Sequence, residues 1–357
     1  MERYLVVIDP VASIRREPIE ATGDYTHDDL QETQVLYNEV VLYRDEIEDW
    51  YYVEAIEQKK LTRNCVWQGY PGWIRKTSVT LTDRPVRHDI TVKNSYALIR
   101  KDPSIESVVL LVPPVGTRFV IKESTHDGYY RVLLADKKTG WINRGDVSRS
   151  DTMSAEMILR KSIVATAKLF LGVPYLWGGR SIPRAESGER RADSRRQGSR
   201  VQGFKQAAAD FPACPSVMAD RSLRMNSTLS TLRSPLSALR SNLPGVDCSG
   251  LINLVFRVNN IDIPRDAHDQ WVVVKKITHN QLKPADLLFI SAEGRKDQIT
   301  HVMLYVGRRR FIEASETGSM VQARTFQEKF GIDLTKLSNQ DFGINKKQIY
   351  FGRVVPT

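Results

Sequence analysis

Cysteine is scarce in this chain, with three in 357 residues, and the scarcity excludes a good deal. Cys65, Cys214 and Cys248 are an odd number and offer no disulfide framework, which points to a reducing compartment. No Cys/His cluster has the spacing of a zinc site, and neither a metal nor a cofactor is expected. No apolar stretch approaches the roughly 18 residues that a membrane span needs. The start, Met1-Glu2-Arg3-Tyr4-Leu5-Val6-Val7-Ile8-Asp9, lacks the apolar core of a secretory signal and runs straight into a folded domain.

Charge is unevenly spread. The chain has 52 Lys+Arg against 42 Asp+Glu, a net of +10. Residues 182–243 hold 11 of the basic and 5 of the acidic residues, a net of +6, so the basic balance belongs largely to one segment. That segment is rich in Arg and Ser with little apolar periodicity, and its composition reads as a disordered loop. Such a loop is tolerable, because doubling a loop's length costs only about 0.6 kcal/mol. It is open to three readings: an inert insertion, a gene-model artefact, or a basic arm that binds an acidic partner or gates a cleft. Its two aromatics, Phe204 and Phe211, do not alternate with its arginines as stacking platforms would, so nucleic acid is not an expected partner.

The most informative stretch is Gly245-Val246-Asp247-Cys248-Ser249-Gly250-Leu251-Ile252. Leu251, Ile252, Val255 and Val258 suit one buried face of a helix that begins at Cys248. Unpaired N–H groups and the helix dipole favour an anion at that position, as a nucleophilic thiolate requires. A cysteine there can equally be a small buried hydrophobe. Downstream, Thr300-His301-Val302-Met303-Leu304-Tyr305-Val306-Gly307 reads as a strand, Arg308 to Arg310 as a turn and Phe311-Ile312-Glu313-Ala314 as the return strand. His301 could be a satisfied core histidine, but a base followed by a carboxylate is also what a cysteine nucleophile needs. Further stretches are Gly172-Val173-Pro174-Tyr175-Leu176-Trp177-Gly178-Gly179-Arg180, Ile263-Pro264-Arg265-Asp266 and Lys283-Pro284-Ala285-Asp286-Leu287.

These stretches, in this order over residues 172 to about 315, resemble the NlpC-type (NlpC/p-sixty) cell-wall cysteine peptidases of the papain-like superfamily. The resemblance implies Cys248 as nucleophile, His301 as general base and Tyr175 as a hydroxyl at the active site. The third position, twelve residues after the histidine, is usually His and sometimes Asn or Gln in that family; here it is Glu313, a departure. A carboxylate can still hold the imidazole tautomer and should raise its pKa, provided the hairpin register puts both residues on one face.

Upstream, residues 1–80 and 86–150 share a pattern: Val11-Ala12-Ser13-Ile14-Arg15, Trp50-Tyr51-Tyr52-Val53 and Gly72-Trp73-Ile74 recur as Tyr96-Ala97-Leu98-Ile99-Arg100, Tyr129-Tyr130-Arg131-Val132 and Gly140-Trp141-Ile142. They look like tandem bacterial SH3-type β-barrels. The expected architecture is therefore α+β: two small barrels, then a papain-like catalytic domain over 151–357, interrupted at 182–243. That arrangement resembles the dipeptidyl-peptidase VI branch, γ-D-glutamyl-diamino-acid endopeptidases acting on murein peptides with a free N-terminal L-Ala. It implies that Asp247, Ser249, Asp266 and Glu39, the last from Leu36-Tyr37-Asn38-Glu39, bind substrate and its amine. It also implies that Tyr70, in Gly69-Tyr70-Pro71-Gly72-Trp73, reaches the cleft, with Trp177 beside it. A cytoplasmic bacterial monomer suited to recycling wall peptides is the expectation; a truncated gene start would make it periplasmic or wall-associated. Two alternatives stand beside it: an exported hydrolase of intact peptidoglycan, and a non-catalytic wall- or peptide-binding module.

Overall fold

The computed structural model describes residues 2–21, 27–83, 87–124, 128–150, 155–184, 244–334, 342–344 and 346–355. The expectations for the bulk of the basic segment, including Cys214, lie outside the described residues.

The first seven strands are β1 (Tyr4–Val7), β2 (Val11–Arg15), β3 (Gln31–Leu36), β4 (Val40–Ile47), β5 (Trp50–Leu61), β6 (Trp67–Arg75) and β7 (Val79–Thr82). They form one antiparallel sheet in the order β3-β2-β6-β5-β4-β1-β7, over a core of Leu5, Val7, Ile14, Val35, Val41, Val53 and Ile74. The next eight are β8 (Ile90–Val92), β9 (Ile99–Arg100), β10 (Val109–Leu111), β11 (Arg118–Phe119), β12 (Ile121–Ser124), β13 (Tyr129–Leu133), β14 (Thr139–Asn143) and β15 (Val147–Arg149). They divide into a five-stranded sheet, β10-β9-β14-β13-β12, and a three-stranded sheet, β11-β8-β15. The closed barrels expected from the repeat are not found among the described residues: no pairing joins the ends of these paths. Closure demands a continuous, staggered ring of hydrogen bonds. In the second half, strands of two to five residues break that ring into two sheets over a shared core of Ile90, Ile99, Phe119, Val132 and Ile142.

The remainder is mixed. Helix α1 (Glu156–Lys168) is followed, beyond the basic segment, by α2 (Cys248–Val258) and α3 (Ala267–Val273). A sheet then forms from β16 (Lys275–Ile277), β17 (Leu287–Ala292), β18 (Arg295–Gly307), β19 (Arg310–Glu313), β20 (Gln322–Thr325), β21 (Phe342–Ile344) and β22 (Lys347–Arg353), in the order β16-β22-β17-β18-β19-β20 with β21 on β22. A short helix, α4 (Phe326–Phe330), follows β20; its first turn is closed by a capping box between Thr325 and Glu328, and Gly331 ends it in the left-handed conformation. Alternation along β18 sends Val302 and Leu304 to the core shared with α1 and α2, and Met303 to a second core with Phe311, Phe326 and Leu334. Asp286, fully buried, joins α1 to β22: it accepts from Arg160 Nη1 at 2.9 Å, from Arg353 Nη2 at 2.7 Å, and from the backbone N–H of Lys283 at 2.8 Å.

Helix α2 departs from the one-faced pattern. Leu251, Ile252, Val255 and Val258 are buried as expected, but so is every residue from Ser249 to Val258. A helix buried all round must cover polar positions too. Asn253 accepts from Arg180 Nε at 2.7 Å and donates to the carbonyl of Ile263 at 2.8 Å; Arg257 donates to the carbonyl of Gly116 at 2.8 Å and to Glu57 at 2.9 Å. One side of α2 meets the β16–β22 sheet and the other meets the N-terminal sheets, with Leu36 and Val115 in the same core.

Candidate active site

Cys248 is the first residue of α2. Asp247 caps the helix, its Oδ1 accepting the N–H of Gly250 at 2.6 Å. The loop Pro174–Ser181 is stitched across this start by Leu176 N–H to Val246 O at 3.1 Å, Asp247 N–H to Gly179 O at 3.2 Å and Ser181 N–H to Gly245 O at 3.0 Å. The motif glycines exist for this approach. A Cβ on Gly250 would stand 2.2 Å from Gly179 O, and one on Gly179 would stand 2.6 Å from Gly245 O.

The stitched loop carries Tyr175 to Cys248. Burial raises the Tyr175 phenol, and the charges of Asp247 and Cys248 raise it further, so the hydroxyl stays protonated and able to donate. Trp177 on the same loop is 42% exposed, its ring 5.5 Å from that of His27, while its carbonyl accepts from Gln31 at 2.6 Å.

His301 stands on β18. Its register with β19 pairs Leu304 with Ile312 and Tyr305 with Phe311, which brings Glu313 level with Met303, on the face of His301. The turn between the strands is made by Arg308 and Arg309, both at positive φ (51° and 59°), the signature of a tight hairpin connection. His301 Nε2 lies 2.7 Å from Glu313 Oε2. A carboxylate only accepts, so Nε2 is the donor, which leaves Nδ1 for the Cys248 side chain, the other hydrogen-bond partner of the ring. Burial pushes the imidazole down, but hydrogen bonds to Cys248 and Glu313 outweigh it and raise it to about 9. Burial pushes the Glu313 carboxyl up; His301 and Lys329 reverse this and hold it below the usual carboxylate range.

Asp247 and Ser249 flank Cys248, and both are engaged. The Arg265 guanidinium, 1% exposed, forks onto Asp247, with Nη1 3.0 Å from Oδ1 and Nη2 2.7 Å from Oδ2, and also donates to Ser249 Oγ at 2.9 Å and Thr33 Oγ1 at 2.8 Å. Burial opposes the guanidinium charge, and Asp247 more than offsets it. Arg265 stands in one of the motif stretches, yet sequence reasoning assigned it no role.

Asp266 and Tyr70 meet each other. The Tyr70 hydroxyl lies 3.2 Å from Asp266 Oδ1 and 3.3 Å from Glu32 Oε2, and Lys60 Nζ donates to it at 2.9 Å. Lys60 is also 3.2 Å from Asp266 Oδ2 and lies over the Tyr70 ring. Burial, then Asp266, raises the Tyr70 phenol well above its ordinary value. Tyr70 and Lys60 are brought to Asp266 because β5 and β6 extend past a bulge between Ala55 and Lys59. Beyond it the hairpin end is bonded to the segment that opens α3, Arg265 N–H to Lys59 O at 3.0 Å and Leu61 N–H to Asp269 at 2.8 Å. Glu32 was not singled out in the sequence; its place on β3 beside Tyr70 comes from sheet pairing.

Glu39 is not brought to this cluster. It is 1% exposed, with Arg180 Nη1 at 2.6 Å and Arg257 at 3.4 Å from Oε1, and Gln58 donating to Oε2 at 3.2 Å. The stretch 36–39 is a junction: Leu36 enters the core around α2, and the Tyr37 hydroxyl accepts the N–H of Ala135 at 2.9 Å. A carboxylate so enclosed balances two buried guanidinium groups and has no free face for a ligand.

The description of the NlpC/P60 family matches residues 235–338, a stretch that includes Cys248, His301 and Glu313. The chain carries an NlpC/P60 domain. Two bacterial relatives extend the similarity upstream. One is the gamma-D-glutamyl-L-lysine dipeptidyl-peptidase of Bacillus subtilis (strain 168), 27% identical over 84% of this chain and 78% of the relative. The other is dipeptidyl-peptidase 6 of Lysinibacillus sphaericus, 21% identical over 83% of this chain and 84% of the relative. The crystal structure of an NlpC/P60 family protein from Bacillus cereus ATCC 10987 has the same fold, with a TM-score of 0.66, 18% identity, and 99% of this chain and 100% of that one covered. With that domain, the chain is a cysteine-type peptidase of the peptidoglycan-related class. No described helix is long and apolar enough to cross a membrane.

Proposed function

We propose that this peptidase hydrolyses the γ-D-Glu to diamino-acid amide of murein stem peptides that carry a free N-terminal L-Ala. One observation carries the free-amine preference. Glu32, Tyr70 and Asp266 form an acidic, aromatic cluster that already accommodates an ammonium, that of Lys60. A substrate amine placed there gains carboxylate partners that an N-acetylated peptide cannot use. In this reading Glu32 takes the place first given to Glu39, Asp247 and Ser249 are held in position by Arg265, and Trp177 walls the cleft. The strands up to Arg149 act as two SH3-type modules, near 1–80 and 86–150, that supply one side of it. The dipeptidyl-peptidase names of relatives aligned over most of their length support the same class.

The reaction divides as follows. His301 enters as the imidazolium, and the thiolate form of Cys248 attacks the amide carbon. The oxyanion is met by backbone N–H groups at the start of α2 and by the Tyr175 hydroxyl. His301 passes its proton to the leaving amine of the diamino acid, leaving the dipeptide as a thioester on Cys248. Neutral His301 then deprotonates a water that attacks the thioester. L-Ala-γ-D-Glu leaves as the acid, and the sulfur regains its resting state.

Incubation with L-Ala-γ-D-Glu-meso-diaminopimelate and its N-acetylated form, alongside Cys248→Ala, tests this by mass spectrometry. Release of the dipeptide from the free-amine peptide alone, absent in Cys248→Ala, is expected. Equal cleavage of both peptides would replace the reading with a general wall hydrolase, and cleavage of neither would favour a binding module.

A further inference from the structure

Glu313 does not face His301 alone. It is completely buried, and its Oε2, which accepts from His301 Nε2, also accepts from Lys329 Nζ. Its second oxygen, Oε1, has no hydrogen-bond partner among the described residues, and Arg324 Nη1 stands 3.8 Å from it. Lys329 is itself only 16% exposed in its side chain. Its backbone is set by the capping box and glycine stop of α4, and its Nζ stands 5.9 Å from the centroid of the Phe330 ring, which packs 4.5 Å from that of Phe326. An ammonium is seldom so far withdrawn from water without a function or a partner that demands it. Here the partner is the orienting carboxylate of the peptidase site.

We propose that Lys329 is a positioning residue of this site: by sharing one carboxylate oxygen with His301, it holds Glu313 ionised and aimed, and keeps the buried carboxylate from binding the imidazolium too tightly to release its proton. The inference rests on the reading of Cys248, His301 and Glu313 as the catalytic trio. A buried carboxylate with one cationic neighbour would pair strongly with an imidazolium. An imidazolium held that way is a poor acid toward the leaving amine, because proton transfer is fastest when the acid's pKa lies near the working pH. A second cation on the same oxygen divides the attraction. The charged and titratable groups facing this pair are Cys248 from α2, Glu313 from β19, Arg324 from β20 and Lys329 from α4, with Tyr175 next to the thiol. Among them Cys248 and Glu313 raise the imidazole and Lys329 lowers it. An acidic third residue, departing from the usual His and occasional Asn or Gln, is thereby matched by a lysine about one short helix further along the chain.

The test compares Lys329→Met, Lys329→Gln and Lys329→Arg with the wild type. One readout is the pH profile of kcat/KM on the free-amine peptide. The other is the pH profile of Cys248 alkylation by iodoacetamide, followed by peptide mass mapping, which needs no substrate. Loss of the charge should move the alkaline limb, where the imidazolium deprotonates, upward by about half a unit to one unit. It should also lower kcat about tenfold, with KM nearly unchanged. Lys329→Arg should retain the wild-type limb. Unshifted limbs in both uncharged variants would overturn the proposal, as would an equal loss in all three, which marks a packing role. Should the wild type prove inactive on the peptide, the alkylation profile still decides the role of Lys329, and Cys248→Ala shows separately whether the catalytic trio itself was misread.

Discussion

His301 gathers the electrostatics of the site into one titration. Its imidazole is raised from an ordinary 6.5 to about 9, despite burial, by Cys248 and Glu313. A group raised in the folded state adds stability that is fully present below its unfolded pKa and is lost as pH climbs through the folded one. The wild type should therefore lose stability between pH 6.5 and 9, by at most about 3 kcal/mol. Chemical denaturation across that range, repeated on His301→Ala, would show the slope flattened in the variant; parallel slopes would count against the ion pair. His301 and Cys248 were legible in the sequence because their chemistry is rare and their neighbours are regular: a helix start after Asp, and a strand ending in Gly. Arg265 and Lys329 were not, because a lysine or arginine in a chain with 52 of them carries no sign of being buried against a carboxylate.

At the scale of elements, the start of α2 and the loop before it behave as one part. The glycines of the two motifs let backbone meet backbone: Gly179 O would lie 2.2 Å from a Cβ on Gly250, and that carbonyl is itself bonded to Asp247 N–H. Gly250→Ala should thus cost more than a helix-favouring substitution returns, about 2–4 kcal/mol of stability, with Tyr175 displaced and activity lost alongside. A urea titration in which Gly250→Ala matched the wild type would refute the close approach. Alternation and turn chemistry were enough to expect the β18–β19 hairpin; only the observed register made Glu313 share a face with His301, since a slip by one residue would have turned it away.

At the scale of the molecule, a buried chain of charge ties the N-terminal sheets to the catalytic domain: Glu39 binds Arg180 and Arg257, and Arg257 binds Glu57, which lies 3.5 Å from Arg118. Removing one member strands the others in low dielectric. Glu39→Gln should therefore destabilise the whole chain by about 3–5 kcal/mol, while KM for the free-amine peptide stays near that of the wild type. A raised KM with unchanged unfolding would instead return Glu39 to an amine-binding role. The same boundary explains why α2 is buried on every side although its pattern suggested one apolar face: Asn253 and Arg257 are polar letters that find their partners in other sheets.

The sequence by itself determined the chemistry and its order along the chain: a cysteine at a helix start, a histidine opening a strand, a carboxylate on the return strand, and glycines where backbones touch. These are local matters, decided by spacing, turn residues and caps. The tertiary structure alone decided which charges are partners. It enclosed Glu39 between guanidinium groups and set Glu32 and Lys60 on Tyr70. It forked Arg265 onto Asp247 and laid Lys329 on the oxygen that His301 uses. Each pairing joins residues from different elements, and a charge reveals its role only when packing has removed the water that would otherwise screen it.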